Sequence, residues 1–336
     1  MVFSSQLKRI ALLSTGGTIA SVPGNDGRAV AGALAGEELL ACTGLEGRID
    51  ALVESVFQKA SNAIGPQEWF ILAAKCGQLM DSGAIDGIVI THGTDTLEDT
   101  AYYLHCVLDT ARVPVVVTGS QRVPHAMGSD AYANLRQAME LAASNEARGL
   151  GVLVAFNQSV FSAGFVRKVS SFQLHGFDAP GWGPAGLLDE SGFQLLQRPR
   201  HQVLLPNPAQ LPRVDILPVY GGADAAMARA VLQSGPTAVA VDALGRGQVP
   251  PAWVPVLQEA MARGVVIAVC SSTLHGAVHE SYEYPGALHE LVQAGALAVS
   301  HLSARKTRIR LGLALAAGNQ FSSLADAFSW QALRKL

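Results

Sequence analysis

The chain has 336 residues, a formal net charge of −3 and an isoelectric point of about 6.3. Hydrophobic residues make up 49% and charged residues 15%, which excludes a disordered chain and provides enough apolar side chains for two domains with separate cores. No basic stripe predicts nucleic-acid binding, and no apolar stretch approaches the roughly 18 residues of a membrane span, so these properties favour a cytoplasmic enzyme acting on a small molecule.

Short apolar runs alternate with helical patterns along the chain. In chain order, the runs predict strands at Ile10–Leu13, Ile88–Ile90, Val113–Val117, Val152–Phe156, Asp215–Val219, Ala238–Val241 and Val265–Cys270. Helical patterns cover residues 67–80, 131–144, 224–236 and 251–264. Strands rich in β-branched residues and separated by helices are typical of a parallel α/β sheet covered on both faces.

A proline-rich stretch, QRPRHQVLLPNPAQLPR, interrupts this alternation at residues 197–213. Such composition is typical of a connection between domains. We therefore predict an α/β fold in two domains: a larger N-terminal open sheet with helices on both faces over 1–190, a linker over 191–213, and a smaller parallel α/β domain over 214–336.

The sequence contains only weak matches to motifs that bind metals or cofactors. The segment GWGPAG fits GxGxxG but contains Pro184, follows no predicted strand and opens no predicted helix. His275 and His279 are four residues apart, but Gly276 disfavours a helix between them. The cysteines form no CxxC pair, and we expect reduced thiols in or near the core at Cys42, Cys76, Cys106 and Cys270.

Small hydroxyl residues next to glycine follow three of the predicted strands. Thr15 lies in STGGT, Thr94 in THGTDT and Ser120 in TGSQR. Ligands of open α/β sheets bind beyond the carboxyl ends of the strands, and glycine lets the backbone N–H groups approach a ligand there. The repetition of this chemistry at three strand ends therefore favours a binding or catalytic site.

Helix capping is the alternative at the second of these junctions. Asp95 and Glu98 have the spacing of a capping box, and a helix N-terminus also attracts anionic groups, so both interpretations can hold together. His92 in the same segment is either a base of the site or a buried histidine with hydrogen-bond partners.

Two long segments, LLSTGGTIAS at 12–21 and GIVITHGTDTLEDTAYYL at 87–104, resemble the signatures of the bacterial-type L-asparaginase family, the asparaginase/glutaminase enzymes. The similarity continues in PVVVTGSQR, SDAYANLRQA, FVRKVSSFQLHGFDAPGWGPAG and SARKTRIRLGLAL, and so covers nearly the whole chain. The resemblance implies hydrolysis of the side-chain amide of L-asparagine, no metal or organic cofactor, and a homodimer or homotetramer with active sites shared between subunits.

The resemblance also implies roles for individual residues. Thr15 would be the nucleophile that forms an acyl-enzyme, and Thr94, Asp95 and Lys168 would form a second cluster of hydroxyl, carboxylate and lysine. A threonine hydroxyl reacts only when a base takes its proton. Lys168 would be that base in its neutral form, or else an oriented cation or proton relay, and both roles stay open at this point.

Substrate-binding positions follow from the same matched segments. Ser61 and Asn62 in KASNAIGP would hold the α-carboxylate and amine of the substrate. Ser120 would lie near the scissile amide. Backbone N–H groups around Gly93 and Thr94, or around Ser120, are the candidates for stabilising the oxyanion. Gln248 in LGRGQVPP stands where the family usually has asparagine, at a position that a neighbouring subunit contributes.

The chain departs from the family pattern in the loop VPGNDGRAVAGALAG, which has the composition of a mobile lid. The family has a tyrosine here that helps to activate the first threonine, whereas this chain has Ala29 or Val30 at about that position. The alternatives are therefore a catalytically weak amino-acid-binding relative or a hydrolase of a related amide. The acidic residue that the neighbouring subunit supplies corresponds to either Glu280 or Glu283.

Overall fold

The computed structural model describes residues 7–23, 29–30, 36–320 and 322–329 of the chain. The chain divides into two compact units, within residues 1–204 and within residues 205–336. Residues 24–28 and 31–35, most of the predicted lid, lie outside the described residues. Among the helices that are described, none is long and apolar enough to cross a membrane.

The described residues of the first unit form a large sheet, short two-stranded ribbons and four α-helices. Its strands are β1 (Lys8–Gly16), β2 (Val22–Pro23), β3 (Ala29–Val30), β4 (Ile49–Lys59), β5 (Gly87–Thr91), β6 (Val115–Thr118), β7 (Val152–Phe156), β8 (Ser159–Ser162), β9 (Arg167–Lys168), β10 (Phe177–Asp178), β11 (Gly186–Asp189) and β12 (Gly192–Leu195). Its helices are α1 (Gly36–Ala41), α2 (Pro66–Asp81), α3 (Leu97–Val107) and α4 (Ala131–Ala143).

The large sheet has eight strands in the order β12–β11–β8–β7–β6–β5–β1–β4. Strands β4, β1, β5, β6 and β7 are parallel, while the pairings β7–β8, β8–β11 and β11–β12 are antiparallel. The predicted parallel sheet is therefore a mixed sheet. The change of direction occurs at the hairpin between β7 and β8, where Asn157 and Gln158 both have positive φ, as a two-residue type I′ turn requires.

The central strands of this sheet are fully buried. Every residue of β5, β6 and β7 is buried, which explains why their sequences are continuous apolar runs. Leu12, Val89 and Val116 belong to a core cluster that also contains Leu135 and Met139 of α4. This packing fixes the ends of β1, β5 and β6, from which the candidate site residues extend.

The second unit is the smaller parallel α/β domain that the sequence predicts. Its sheet has the order β13–β14–β15–β16, with all three pairings parallel. The strands are β13 (Val214–Pro218), β14 (Ala238–Ala243), β15 (Val266–Ser271) and β16 (Leu297–Ala298). The helices are α5 (Ala225–Gln233), α6 (Val254–Ala262), α7 (Leu288–Gln293), α8 (Ala304–Ala316) and α9 (Leu324–Ala327).

The four cysteines do not share one environment. Cys42 is exposed, whereas the sequence predicts that it lies in or near the core. The other three thiols are buried, at Cys76, Cys106 and Cys270. Burial raises the pKa of Cys76 to about 12, so this thiol is protonated and unreactive at neutral pH.

Candidate active site

The three hydroxyl-containing junctions follow the carboxyl ends of neighbouring parallel strands of the large sheet. In the parallel register, Ser14 lies beside Thr91 and Thr91 lies beside Thr118, so β1, β5 and β6 end at the same level. Thr15 is completely buried, and its Oγ1 donates a hydrogen bond to the carbonyl oxygen of Thr91 at 2.8 Å. The sheet therefore brings the segments that carry Thr15, Thr94 and Ser120 together.

Glycine allows these segments to approach each other more closely than side chains would permit. A Cβ atom on Gly17 would lie 2.4 Å from the Cα and N atoms of Gly93, and Gly17 has a φ of +82°. A Cβ atom on Gly93 would lie 2.8 Å from the Cβ atom of Ser61. The backbone after β1, the backbone after β5 and the segment at Ser61 are thus in direct contact.

The Ser61 segment is held by a threonine of the second signature. Ser61 is 6% exposed and begins a short 3₁₀ turn, while Asn62 in the same turn is exposed. Thr96 Oγ1 donates a hydrogen bond to the Ser61 carbonyl oxygen at 2.6 Å. The predicted capping box is therefore wrong: Thr96, not Asp95, is the N-cap residue of α3, and its side chain binds the Ser61 backbone without capping the helix.

Lys168 joins the polar residues that precede α3. Its Nζ atom donates hydrogen bonds to Thr94 Oγ1 at 2.8 Å and to Asp95 Oδ1 at 2.7 Å. Thr94 is 5% exposed, the Lys168 side chain 16%, and the Asp95 side chain 70%. The amine thus lies between a buried hydroxyl and a solvated carboxylate, where it can exchange a proton with the hydroxyl or stabilise negative charge.

The main chain of Lys168 makes a contact that the sequence does not predict. Its N–H group donates to Glu98 Oε2 at 2.6 Å, and Glu98 is only 3% exposed. Helix α3 is buried on nearly all sides, and a carboxylate in such a helix needs hydrogen-bond partners, which is the signal that points to this role. Local spacing instead favoured the interpretation as a cap.

The loop after β6 packs against Thr94 and is fixed by hydrogen bonds. A Cβ atom on Gly119 would lie 3.5 Å from Thr94 Cγ2. Ser120 is completely buried, and its hydroxyl donates to the carbonyl oxygen of Arg122 at 2.7 Å. Asp130 accepts hydrogen bonds from two consecutive N–H groups of this loop, each at 3.0 Å. Ser120 thus belongs to a hydrogen-bonded turn beside Thr94.

His92 is the buried histidine of the two alternatives. Its Nδ1 lies 2.8 Å from the Gly93 carbonyl oxygen and its Nε2 lies 2.9 Å from Thr100 Oγ1. Burial lowers the pKa of His92 to about 4, against smaller opposing effects of the Gly93 hydrogen bond and the Asp99 charge. Both ring nitrogens have partners and the ring is neutral at pH 7, so His92 is not placed as a base for Thr15.

Gln248 and the two acidic candidates belong to the second unit. Gln248 Oε1 accepts a hydrogen bond from the Arg246 N–H at 2.9 Å, and its Nε2 is buried with no hydrogen-bond partner among the described residues. Glu280 lies 3.1 Å from the Nδ1 atom of His289, and Glu283 is exposed.

Other sequence features take no part in a described site. His275 and His279 lie in an irregular segment, so their spacing does not place them on one helix face. Gly186 of GWGPAG begins strand β11 and opens no helix. Over the described ranges, no three or more His, Cys, Asp or Glu side chains form a group that could hold a metal ion.

Family models match both units of the chain. Residues 9–201 match the model described as Asparaginase, N-terminal, and residues 213–328 match the Glutaminase/Asparaginase C-terminal domain. The chain is 38% identical over 313 residues to an L-asparaginase of Bacillus licheniformis, which corresponds to 92% of this chain and 96% of that protein. It is 34% identical over 339 residues to a glutaminase-asparaginase of Pseudomonas fluorescens biotype A, covering 97% of this chain and 91% of that protein.

A solved structure shares the fold over most of its length. The crystal structure of a probable cytoplasmic L-asparaginase from Campylobacter jejuni is similar with a TM-score of 0.84 and 28% sequence identity. The similarity covers 95% of this chain and 98% of that chain.

Proposed function

Because the chain belongs to the asparaginase family, a family of hydrolases, we propose that it hydrolyses the side-chain amide of L-asparagine to L-aspartate and ammonia, with minor glutaminase activity. Relatives named L-asparaginase and glutaminase-asparaginase, similar over more than nine-tenths of the chain, support this substrate class. No metal or organic cofactor enters the proposal.

The two hydrogen bonds of the Lys168 amine carry the proposal above all other observations. Lys168 Nζ donates to Thr94 Oγ1 at 2.8 Å and to Asp95 Oδ1 at 2.7 Å, at the sheet edge where Thr15 is also located. A hydroxyl, an amine and a carboxylate in hydrogen-bond contact can move a proton to and from a reacting hydroxyl or a leaving amine. Amide hydrolysis needs such proton transfers in both of its stages.

We propose that Thr15 Oγ1 attacks the side-chain amide carbon of asparagine. The hydroxyl loses its proton as the O–C bond forms, the C–N bond breaks, and the nitrogen takes up a proton and leaves as ammonia. A water molecule then attacks the resulting ester, the ester C–O bond breaks, and Oγ1 regains its proton as aspartate leaves. Backbone N–H groups of Gly93, Thr94 or Ser120 are proposed to stabilise the oxyanion in both stages.

The contacts of the two threonines differ in a way that bears on this assignment. Thr15 Oγ1 donates to a main-chain carbonyl, which orients the hydroxyl but is too weak a base to remove its proton. Thr94 Oγ1, in contrast, contacts an amine directly. Activation of Thr15 therefore has to come from water, from a residue outside these contacts, or through the Thr94 cluster, and a comparison of both hydroxyls is the decisive test.

The test measures ammonia release from asparagine, glutamine and related β-amides for the native chain, Thr15→Val and Thr94→Val. Valine keeps the side-chain shape and removes the hydroxyl. We expect turnover of asparagine by the native chain and a loss of at least about 100-fold in kcat for each variant, as for other groups that act on the transition state. Full turnover by Thr15→Val would show that the nucleophile is assigned wrongly.

A matched control separates chemistry from folding. Thr43 is also buried and donates its hydroxyl hydrogen to a main-chain carbonyl, that of Leu40, outside the site. Thr43→Val should cost a similar hydrogen bond and leave kcat near the native value. If the native chain binds asparagine or aspartate but releases no ammonia, the alternative of an amino-acid-binding relative is correct.

We further propose a cytoplasmic homodimer or homotetramer in which Gln248 of one subunit completes the site of another. Light scattering gives the oligomer mass, and cell fractionation tests the location. Shared sites predict complementation: mixing Thr15→Val and Gln248→Ala subunits restores activity, because one kind of site then has both native residues. Absence of recovery in a verified mixed oligomer contradicts the shared site.

A further inference from the structure

Lys168 is not held in place by the large sheet. It lies in β9, a strand of two residues whose pairing partner is β10, with Lys168 opposite Phe177. A lysine side chain has four flexible carbon–carbon bonds, so the position of its amine is defined only when the main chain below it is fixed. The contacts that fix the Lys168 main chain therefore decide where Nζ is located.

Both ends of Lys168 are bound to α3 or to the residues immediately before it. At the tip, Nζ contacts Thr94 and Asp95. At the main chain, the Lys168 N–H donates to Glu98 Oε2 at 2.6 Å, and these two residues are 70 positions apart in sequence. Because Glu98 lies in the first turn of α3, its negative charge is favoured by the helix dipole and its orientation is set by the helix.

We propose that Glu98 is a positioning residue of the active site. By holding the Lys168 main chain, it fixes the point from which the lysine side chain extends, and so places Nζ in contact with Thr94 and Asp95. The inference rests on the proposed function for its effect on turnover, while the contact itself can be measured independently. A 2.6 Å hydrogen bond to a carboxyl group that is only 3% exposed is shielded from competing water, and so a suitable anchor.

The turn that follows Lys168 is anchored by a second side chain. Gln121 Nε2 donates to the carbonyl oxygens of Ser170 and Gln173, each at 3.0 Å. Gly176 leaves room for this amide, since a Cβ atom there would lie 2.4 Å from Nε2. Gln121 secures the turn, but Glu98 is the side chain that contacts the Lys168 N–H.

The experiment compares Glu98→Met with Glu98→Gln. Methionine has a similar length and loses the acceptor, whereas glutamine keeps an acceptor oxygen and loses the charge. We expect Glu98→Met to lower kcat for asparagine about 10- to 100-fold, the effect of a displacement approaching 1 Å, with KM changed less than about 3-fold. Glu98→Gln should stay within about 3-fold of the native kcat.

A double-mutant cycle tests whether Glu98 acts through Lys168. In a Lys168→Met background, Glu98→Met should cause no further loss of kcat, because the amine that it positions is already absent. An independent, full loss in that background, or an equal loss for Glu98→Gln and Glu98→Met, would overturn the proposal.

Asp86 offers a matched control for the hydrogen bond. Its Oδ2 accepts the main-chain N–H of Arg9 at 2.9 Å, and it precedes β5 at the opposite end of that strand from the site. Asp86→Leu should leave kcat at the native value while lowering stability. A kcat loss as large as that of Glu98→Met would mean that general loosening of the fold explains the effect.

The rate of hydrogen exchange in the peptide that contains the Lys168 amide tests the hydrogen bond to Glu98 independently of turnover. Exchange should be faster in Glu98→Met than in the native chain and in Glu98→Gln. Unchanged exchange in Glu98→Met overturns the positioning role whatever the activity. If the native chain releases no ammonia but exchange behaves as expected, the proposed function fails and the anchor stands.

Discussion

Replacing Gly93 by alanine should damage the active site while leaving the fold intact. The φ angle of Gly93 lies outside the left-handed region, so the backbone tolerates a side chain and the effect is one of space alone. The new Cβ would lie 2.8 Å from Ser61 Cβ, 2.9 Å from Ser61 Oγ and 3.1 Å from Gly17 Cα. All three distances are shorter than ordinary contacts, which begin at 3.4 Å.

The magnitude follows from these distances. The contact with Ser61 Cβ has to open by 3.4 − 2.8 = 0.6 Å, and relief can come only from movement of the Ser61 turn or of the Gly93 backbone. Overpacking of this kind costs about 1–3 kcal/mol of stability. Since misplacement by about 1 Å costs roughly 100-fold in rate, we expect kcat/KM for asparagine to fall about 10- to 100-fold, or about 1.4–2.7 kcal/mol.

Ammonia release gives kcat/KM, and urea unfolding gives the stability of the same preparation. Gly77→Ala is the matched control, because Gly77 lies within α2 and a Cβ atom there has open space around it. It should gain about 0.5–1 kcal/mol of stability from helix propensity, with unchanged kcat/KM. Native kcat/KM in Gly93→Ala would refute the argument that close contact between Gly93 and Ser61 shapes the site.

The fold was predictable where burial makes a strand continuous in sequence. The predicted strands at Ile88–Ile90 and Val152–Phe156 are confirmed because β5 and β7 are buried along their whole length. Strand β4, Ile49–Lys59, was not predicted. Among the described strands, only β1 pairs with it, its exposure varies along its length, and its residues IDALVESVFQK mix charged and apolar side chains. Edge strands of this kind lack the continuous apolar run that marks a central one.

The antiparallel part of the large sheet escaped prediction for a related reason. Its turn at Asn157 and Gln158 adopts positive φ without a glycine, so the usual hairpin signal is absent. Strand β12, Gly192–Leu195, lies within residues predicted as a linker and is mostly half-buried at the sheet edge. Short, half-exposed strands depend on partners distant in sequence, and local patterns do not contain that information.

The candidate site likewise has a part that local sequence patterns predict and a part that they do not. Strand-end glycines and hydroxyls were found from local patterns, because sheet topology alone brings the ends of β1, β5 and β6 together. The partners of Thr96 and Glu98 were not found, because Ser61 and Lys168 are 35 and 70 positions away. A capping box is predicted from local spacing alone. Here the side chains of the predicted box, Asp95 and Glu98, instead form long-range hydrogen bonds with Lys168.

Three further predictions test the contacts around the site. Thr96→Val removes the hydrogen bond to the Ser61 carbonyl, worth about 0.5–1.5 kcal/mol, and should raise KM for asparagine by up to about 10-fold with kcat nearly unchanged in steady-state assays. A thiol reagent should label Cys42 alone in the native protein and all four cysteines after unfolding, and rapid labelling of a second native thiol would contradict the described burial. The last concerns pH. The pKa of His92 is 6.5 in the unfolded chain and about 4 in the folded protein. As the pH falls, the imidazole is therefore protonated in the unfolded chain before it is protonated in the folded protein. The stability that is fully present above pH 6.5 is lost as the pH falls towards 4. One proton changes the free energy of unfolding by about 1.4 kcal/mol per pH unit. Between pH 7 and pH 5, urea unfolding should therefore show a loss of stability about 2 kcal/mol larger for the native chain than for His92→Gln. Equal losses would show that His92 does not carry this pH dependence.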